Sequence, residues 1–465
     1  MEILDTIIRR EIELIGNSSQ NVIHFEWKCI VKANGKEVSA LYVDQRKLDR
    51  LFMKNYADEL RITATFVAGD YFDNILPYKN ELEITMVKIP KNTLPSGDVD
   101  LTKNRVVATY RAQMVDGGSE VISGNNPLTI TKSAAYQGAV KSINFQLFDM
   151  TIDRIRKISF GTNFCDTLPT DAIRYLLGEV TKTDLEDNAT RIRGVDIADG
   201  FTDEIRKFIV LPDTTDILAA PHLINETVGG IYPTGFACYL QAGIWYVFPP
   251  FDCTRFTKQT PSLTLIKIPQ HRMPSSEKTF RITPTQAVIL TTRETVHRDL
   301  SESLQLNQGN AVTYADADKL MKEEYAARGG NKLVVNASQN VTAVANEKRR
   351  DGDMTVGADK LFTSNYNLEY SKLAYRSGSI IQTVWESANP EILRPGMPVR
   401  YIFADGATPR EIYGVLVGVE CLDYRNTINV GDQTFATIVL LTIFVSRQDP
   451  TQRPNLGAVT MTKTN

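Results

Sequence analysis

The chain has 465 residues, 42% hydrophobic and 23% charged, with a formal net charge of −3. That length exceeds a single core and implies roughly two to four domains, while the composition excludes large-scale disorder. A near-neutral balance argues against a dedicated DNA-binding protein, whose phosphate contacts need clustered Lys and Arg.

At the N-terminus Leu4, Ile7, Ile8, Ile12 and Ile15 follow helical spacing. Arg9, Arg10, Glu11 and Glu13 interrupt the apolar run, so this is an amphipathic helix and not a signal-peptide core. Residues 48–54 read as a short helix. At 60–67 the pattern changes to alternation, with Leu60, Ile62, Ala64 and Phe66 on one side and Arg61, Thr63 and Thr65 on the other. The alternation recurs after a turn-rich break, where Leu82, Ile84 and Met86 oppose Glu81, Glu83 and Thr85. Side chains in a strand swap faces every residue, so both stretches predict half-covered sheets. Further strands are predicted at 143–148 and 155–160, closing a first β domain at about 1–160.

A different texture follows, an α+β region at about 161–260. Thr170 is the predicted N-cap of a helix whose apolar face carries Ile173, Leu176, Leu177 and Val180. Residues 216–228 read as a second helix interrupted by Pro221. A hairpin then pairs 236–240 with 244–248 across Gln241-Ala242-Gly243. Its strip Trp245-Tyr246-Val247-Phe248 is bulky on both faces, which predicts cover on both sides. Core packing explains Trp245, Tyr246 and Phe248 best, and a subunit contact is the second reading.

Strands at 263–268 and 278–282 open a third region, 261–450. It holds a polar insertion at about 298–371, with a predicted helix at 315–328. Alternation returns at 379–385, 399–403, 413–420 and 434–445. The apolar strip 436–445 is half the ~20 residues a membrane helix needs and suits a buried strand. Residues 451–465 form a polar tail.

Chemistry is sparse. The four histidines, His24, His222, His271 and His297, show no metal-ligand spacing, and no P-loop or nucleophile-elbow motif occurs. Asp351-Gly352-Asp353 lacks the remaining positions of a calcium loop. Cys29, Cys165, Cys238, Cys253 and Cys421 are odd in number and without a Cys-x-x-Cys unit, which points to free thiols and synthesis in a reducing cytoplasm. Neither catalysis nor a metal or other cofactor is expected.

Three segments carry a resemblance. Asp70-Tyr71-Phe72-Asp73 with 76–84 is the first, the helix and hairpin of 223–251 the second, and Leu393-Arg394-Pro395-Gly396-Met397-Pro398-Val399-Arg400-Tyr401 with 414–419 the third. In this order they resemble the baseplate hub proteins of contractile-tailed bacteriophages. The resemblance implies a mainly β chain with some α, holding two tail-tube-like barrel domains and a smaller α+β middle domain. It further implies a homotrimeric virion protein of the tail baseplate, adapting a pseudo-sixfold tail tube to a threefold central spike. Its implied partners are the tube or tube-initiator protein, the spike, and wedge or tape-measure proteins, with DNA passing unbound. On this reading Glu81, Glu83 and Thr85 are candidates for a solvated, mildly acidic lumen face. The alternatives are a tail-associated peptidoglycan-degrading enzyme, with 298–371 as its active module, and a peripheral receptor-binding or adaptor subunit.

Overall fold

The computed structural model describes residues 2–18, 25–90, 106–115, 140–182, 192–199, 204–227, 231–232, 235–275, 278–293, 295–299, 311–314, 341–344, 375, 378–405, 408–425 and 434–446. The expected helix at 315–328, the Asp351-Gly352-Asp353 turn, most of the polar insertion and the 451–465 tail lie outside them.

The chain is mainly β with some α. Strands β1 (Phe25–Ala33), β2 (Lys36–Ser39), β3 (Tyr42–Leu51), β4 (Glu59–Val67), β5 (Leu82–Pro90), β6 (Val106–Met114) and β7 (Val140–Asp149) build the first barrel. Around it the order is β1-β5-β6-β7-β4-β3, antiparallel throughout. The alternation sorts faces as its period dictates: Leu60, Ile62, Ala64, Phe66, Leu82, Ile84 and Met86 are buried inside.

Two local expectations in the first region are corrected. The helix read at 48–54 is instead the end of β3 and a turn. Arg46, Leu48 and Arg50 all point inward at period two, and the buried arginines disguise the apolar face. The strand read at 155–160 is replaced by a helix at Met150–Ile155 and a turn. Asp149 caps that helix, its carboxylate accepting the Thr151 and Ile152 amides at 2.8 and 3.1 Å.

In the middle unit, β8 (Thr162–Thr167) pairs with β10 (Arg206–Leu211), and β9 (Gly194–Ile197) joins the hairpin of β11 (Ala237–Gln241) and β12 (Ile244–Phe248). The hairpin turn is the two residues Ala242 and Gly243, both at positive φ, one residue tighter than expected. The helix expected to start after Thr170 starts at Pro169, whose fixed φ suits a first helical position, so Thr170 lies inside it. Pro221 likewise sits in the first turn of the helix Ala220–Thr227 rather than interrupting it.

The second barrel uses β13 (Ser262–Lys267), β14 (Phe280–Ile282), β15 (Gln286–Thr291), β16 (Thr295–Asp299), β19 (Gly378–Glu386), β20 (Pro398–Asp405), β21 (Thr408–Arg425) and β22 (Phe435–Ser446). Between them, β17 (Ala311–Tyr314) and β18 (Val341–Val344) pair only with each other among the described residues. With the marginal strands β2 and β14 set aside and β15 and β16 counted as two halves of one strand, each barrel has six strands in chain order. Both barrels place them around the ring as 1-4-5-6-3-2. One strand breaks the likeness: β13 runs parallel to both neighbours, β15 and β20, whereas β1 is antiparallel to β5. The 18-residue crossover from β13 to β15 permits that reversal, since parallel neighbours cannot be joined by a tight turn.

The barrels are fused through one hairpin. The first part of β21 pairs with β20, and its second part pairs with β3 of the first barrel. A bulge at Leu416/Gly418 marks the crossing, and the Phe52 amide takes the freed Val417 carbonyl. One apolar core therefore runs through both barrels and takes in Tyr239 and Phe248 of the middle sheet. The N-terminal helix (Glu2–Gly16) also crosses the expected division, because Ile8 and Ile15 pack on Ile266, Val288, Leu290 and Ile402 of the second barrel.

Candidate functional site

The two barrels together present one continuous antiparallel sheet, β6-β7-β4-β3-β21-β22-β19-β16. It consists of two four-strand halves with the same internal order, fifth-sixth-third-second. One face is the barrel interior. The other is an outer face whose first half is a cross-strand polar ladder. Arg61 Nε donates to Gln146 Oε1 at 2.8 Å, Thr63 Oγ1 to Asn144 Oδ1 at 2.7 Å, and Thr65 Oγ1 lies 2.7 Å from Ser142 Oγ and 2.9 Å from Asp44. Across the junction between barrels, Lys47 Nζ stands 3.2 Å from Asp49 and 3.6 Å from Glu420. In the second half Gln382 Nε2 donates to Thr442 Oγ1 at 3.3 Å. Such pairs are the unit of sheet stabilisation, and here they also engage the polar groups with each other. The face mixes both signs of charge and is not predominantly acidic.

The inner side of the same junction is held by buried charge. Asp423 on β21 accepts from Arg46 Nη1 at 2.8 Å, Trp27 Nε1 at 3.0 Å and Thr437 Oγ1 at 2.6 Å. The Arg46 guanidinium lies 4.4 Å over the Trp27 ring. One turn of the pleat away, Arg50 grips Asp58 at 3.0–3.1 Å, and Tyr239 Oη donates to the same carboxylate at 2.8 Å. Burial opposes the charge on both arginines, but the facing carboxylates outweigh it and leave their pKa values raised. Lys88 is driven the other way by burial, its ammonium 4.1 Å over the Phe25 ring. Burial pushes the Tyr110 hydroxyl up to about 12. Removing either partner of such a pair strands the other in low dielectric, so this cluster fixes how the barrels meet.

The structure separates the residues singled out from sequence. Glu83 and Thr85 lie on the outer face of β5, where Lys32 Nζ is 3.6 Å from Glu83 and Thr109 Oγ1 is 3.0 Å from Thr85 Oγ1. Strand β5 borders β6 and is not one of the eight strands of the wall. Glu81 is exposed just before it. The hairpin residues divide between two cores: Trp245 is fully buried against the middle unit's helices, and Phe248 is buried in the barrel core. Both are spent inside the chain, so they have no surface to give a neighbour. Tyr246 is half-buried against the barrel core.

Sequence reading did not bring forward Lys47, Asp44, Asn144 and Gln146. The signal for the last two was the polar half of the alternation at 143–148. Among the described residues no group of His, Cys, Asp or Glu has the arrangement to hold a metal ion.

No family model and no curated protein matches the chain. Solved structures do. A tail protein from Neisseria meningitidis MC58 is 13% identical, with 90% of this chain and 96% of that one covered, at a TM-score of 0.44. The 43 kDa tail protein of prophage MuSo2 from Shewanella oneidensis is 11% identical, covering 91% and 99%, at 0.46. The E. coli c3393 protein, described as a type VI secretion component similar to T4 tail proteins gp27 and gp5, is 7% identical, covering 90% and 77%, at 0.40. The chain is similar to these three proteins.

Proposed function

We propose that this chain is a structural subunit of a phage-type tail, a hub protein that forms a ring around a passage and has no catalytic role. The observation that carries this reading is the repetition within one chain: two barrels with the same strand order, fused into one wall of two halves alike in strand order. A chain with two such halves turns a threefold ring into a sixfold one. Three copies would present six of these four-strand units around an axis, matching a sixfold tube on one side and a threefold spike on the other. Heterologous association of this kind closes into rings when the rotation permits.

The polar ladder suits the lumen. Lys47 and Arg61 are engaged by neighbouring carboxylates or amides, so little free cationic surface is offered to DNA phosphates, whose binding depends on such groups. DNA would then pass without being held. The implied partners are the tube or tube-initiator protein and the central spike, and the implied location is the tail of the virion. The test is the mass of the purified chain in solution, alone and with the spike and tube proteins, followed by images of the assembled tail end. A threefold particle showing six lobes is expected. A chain that stays monomeric under every one of these conditions overturns the reading.

A further inference from the structure

Strands β13, β15 and β20 run parallel, so all three begin at the same rim of the second barrel, at Ser262, Gln286 and Pro398. The first barrel is antiparallel throughout and has no such rim. Whatever the reversal of β13 creates is therefore present once per chain, not twice. At that rim an open cavity of about 360 Å³ lies between the turn joining β14 to β15 and the segment leading into β20. It is at the small end of the roughly 300–1,000 Å³ typical of ligand pockets, and a large apolar side chain would fill much of it.

The lining is largely apolar. Ala287 and Met397, each 3% exposed, form its depth, and Pro261, Ile282, Pro284 and Ile392 stand around them. Both walls are fixed by hydrogen bonds. On one side the Thr283 hydroxyl accepts the Gln286 amide at 3.0 Å and holds the turn. On the other the Arg394 amide donates to Met397 Sδ at 3.2 Å, and Gln241 Nε2 donates to the Leu393 carbonyl at 3.1 Å. Arg50 Nη1 ties the start of the same segment, donating to the Pro390 carbonyl at 3.3 Å. A preformed site of this kind loses little ordering entropy when it is filled.

Two charged side chains complete the lining, Glu391 and Arg394. Glu391 is faced by Arg50 at 3.9 Å. Arg394 is exposed, and its guanidinium makes no hydrogen bond or ion pair among the described residues. The unmet charge of the lining is therefore positive, and a guanidinium can hold a carboxylate by two parallel hydrogen bonds. The mouth is wide, with Ile282 37% exposed. Small-molecule sites bury about 70–90% of their ligand, so this one needs the further contact area of a longer chain.

We propose that the cavity binds an extended segment of another protein, which inserts an apolar side chain and pairs the adjacent carboxylate with Arg394. The site itself is independent of the ring reading, whereas the number of sites rests on it. In a ring of three chains, only three of the six barrels carry the cavity. The segment then belongs to a protein that joins the ring in threes, not in sixes.

The experiment uses the full-length chain, labelled at isoleucine and methionine methyls and titrated with the blocked peptide acetyl-Ala-Leu-Asp-Ala-amide. The Ile282, Ile392 and Met397 resonances should shift to saturation at one peptide per chain, with a Kd on the order of 1 mM. Serine in place of the peptide's leucine should weaken binding about tenfold, and asparagine in place of its aspartate about threefold. Arg394→Gln should bring the aspartate peptide down to the asparagine peptide and leave the latter unchanged, a pattern that loss of fold cannot produce. Absence of saturable shifts at these methyls overturns the proposal, and so does equal binding of the aspartate and asparagine peptides by the wild-type chain. Either outcome leaves the ring reading standing, because that reading is tested by mass. A chain that binds the peptide as expected but stays monomeric with spike and tube proteins upholds the cavity and overturns the ring and its count of three.

Discussion

Asp423 is buried and accepts three hydrogen bonds, from Arg46, Trp27 and Thr437. Asp423→Ala removes all three and leaves the Arg46 guanidinium buried without its anion. A cost of about 3–5 kcal/mol is expected, read as a shift in denaturant midpoint at unchanged slope. Replacing both members by apolar residues of similar volume should recover much of that loss, because the pair's desolvation is then no longer required. His222 makes a second prediction from a different cause. It lies edge-on to Phe236 at 4.8 Å and to Tyr56 at 6.2 Å, and burial lowers its pKa from 6.5 to about 4. A depressed histidine pKa means that unfolding takes up a proton below the unfolded value. Its contribution is therefore complete above pH ~6.5 and is lost as pH falls toward the folded value, with a slope of up to ~1.4 kcal/mol per pH unit. Unfolding followed from pH 7 to 4 should show that slope, and His222→Phe should flatten it. Neither residue could be assigned from sequence. Asp423 reads as an ordinary polar position in a strand, and its role exists only because β1, β3, β21 and β22 converge from distant parts of the chain.

At the scale of elements, strands were legible where one face is buried and the other wet. The alternation at 60–67, 82–86 and 434–445 places inward residues correctly because a one-residue slip would expose the whole apolar set. The reading failed where long-range pairing overrides the local pattern. Arg46 and Arg50 face inward only because Asp423 and Asp58 meet them there, so β3 looked helical at 48–54. Glycine gives a sharper case at the entrance to β20. Gly396 sits at φ +68°, and a Cβ there would lie 2.2 Å from the Phe248 ring. The same packing joins the middle hairpin to the second barrel, which makes Gly396→Ala a test of that contact. The left-handed backbone alone costs ~1 kcal/mol with a side chain, and displacing the ring adds to it. The thermal midpoint should fall. In Phe248→Ala the second substitution should cost less than it does in the wild-type background, since the two sites share one space.

For the whole molecule, the sequence made the mainly β character, the α+β middle and the two sets of strands visible, but not their fusion. Periodicity reports which residues face a core and is silent on which core, so 413–445 read as part of a second barrel alone. The hairpin of β21 and β22 in fact completes the first barrel as well, bridging β3 through Gln45↔Tyr424 and β1 through Phe25↔Phe435. Its loss would leave β1 and β3 with open edges and would uncover Phe25, Trp27 and Leu48, which are buried in the intact chain. It would also remove Asp423 from Arg46. A fragment comprising residues 1–160 is therefore expected not to fold as a monomer: its amide resonances should be poorly dispersed, or it should aggregate through the open edges. Adding the 408–446 segment in trans should restore dispersion, because it supplies both the missing strands and the carboxylate. A well-dispersed, monomeric 1–160 fragment without that segment would mean that the first barrel closes on itself, and that the shared hairpin is not what unites the two halves of the wall.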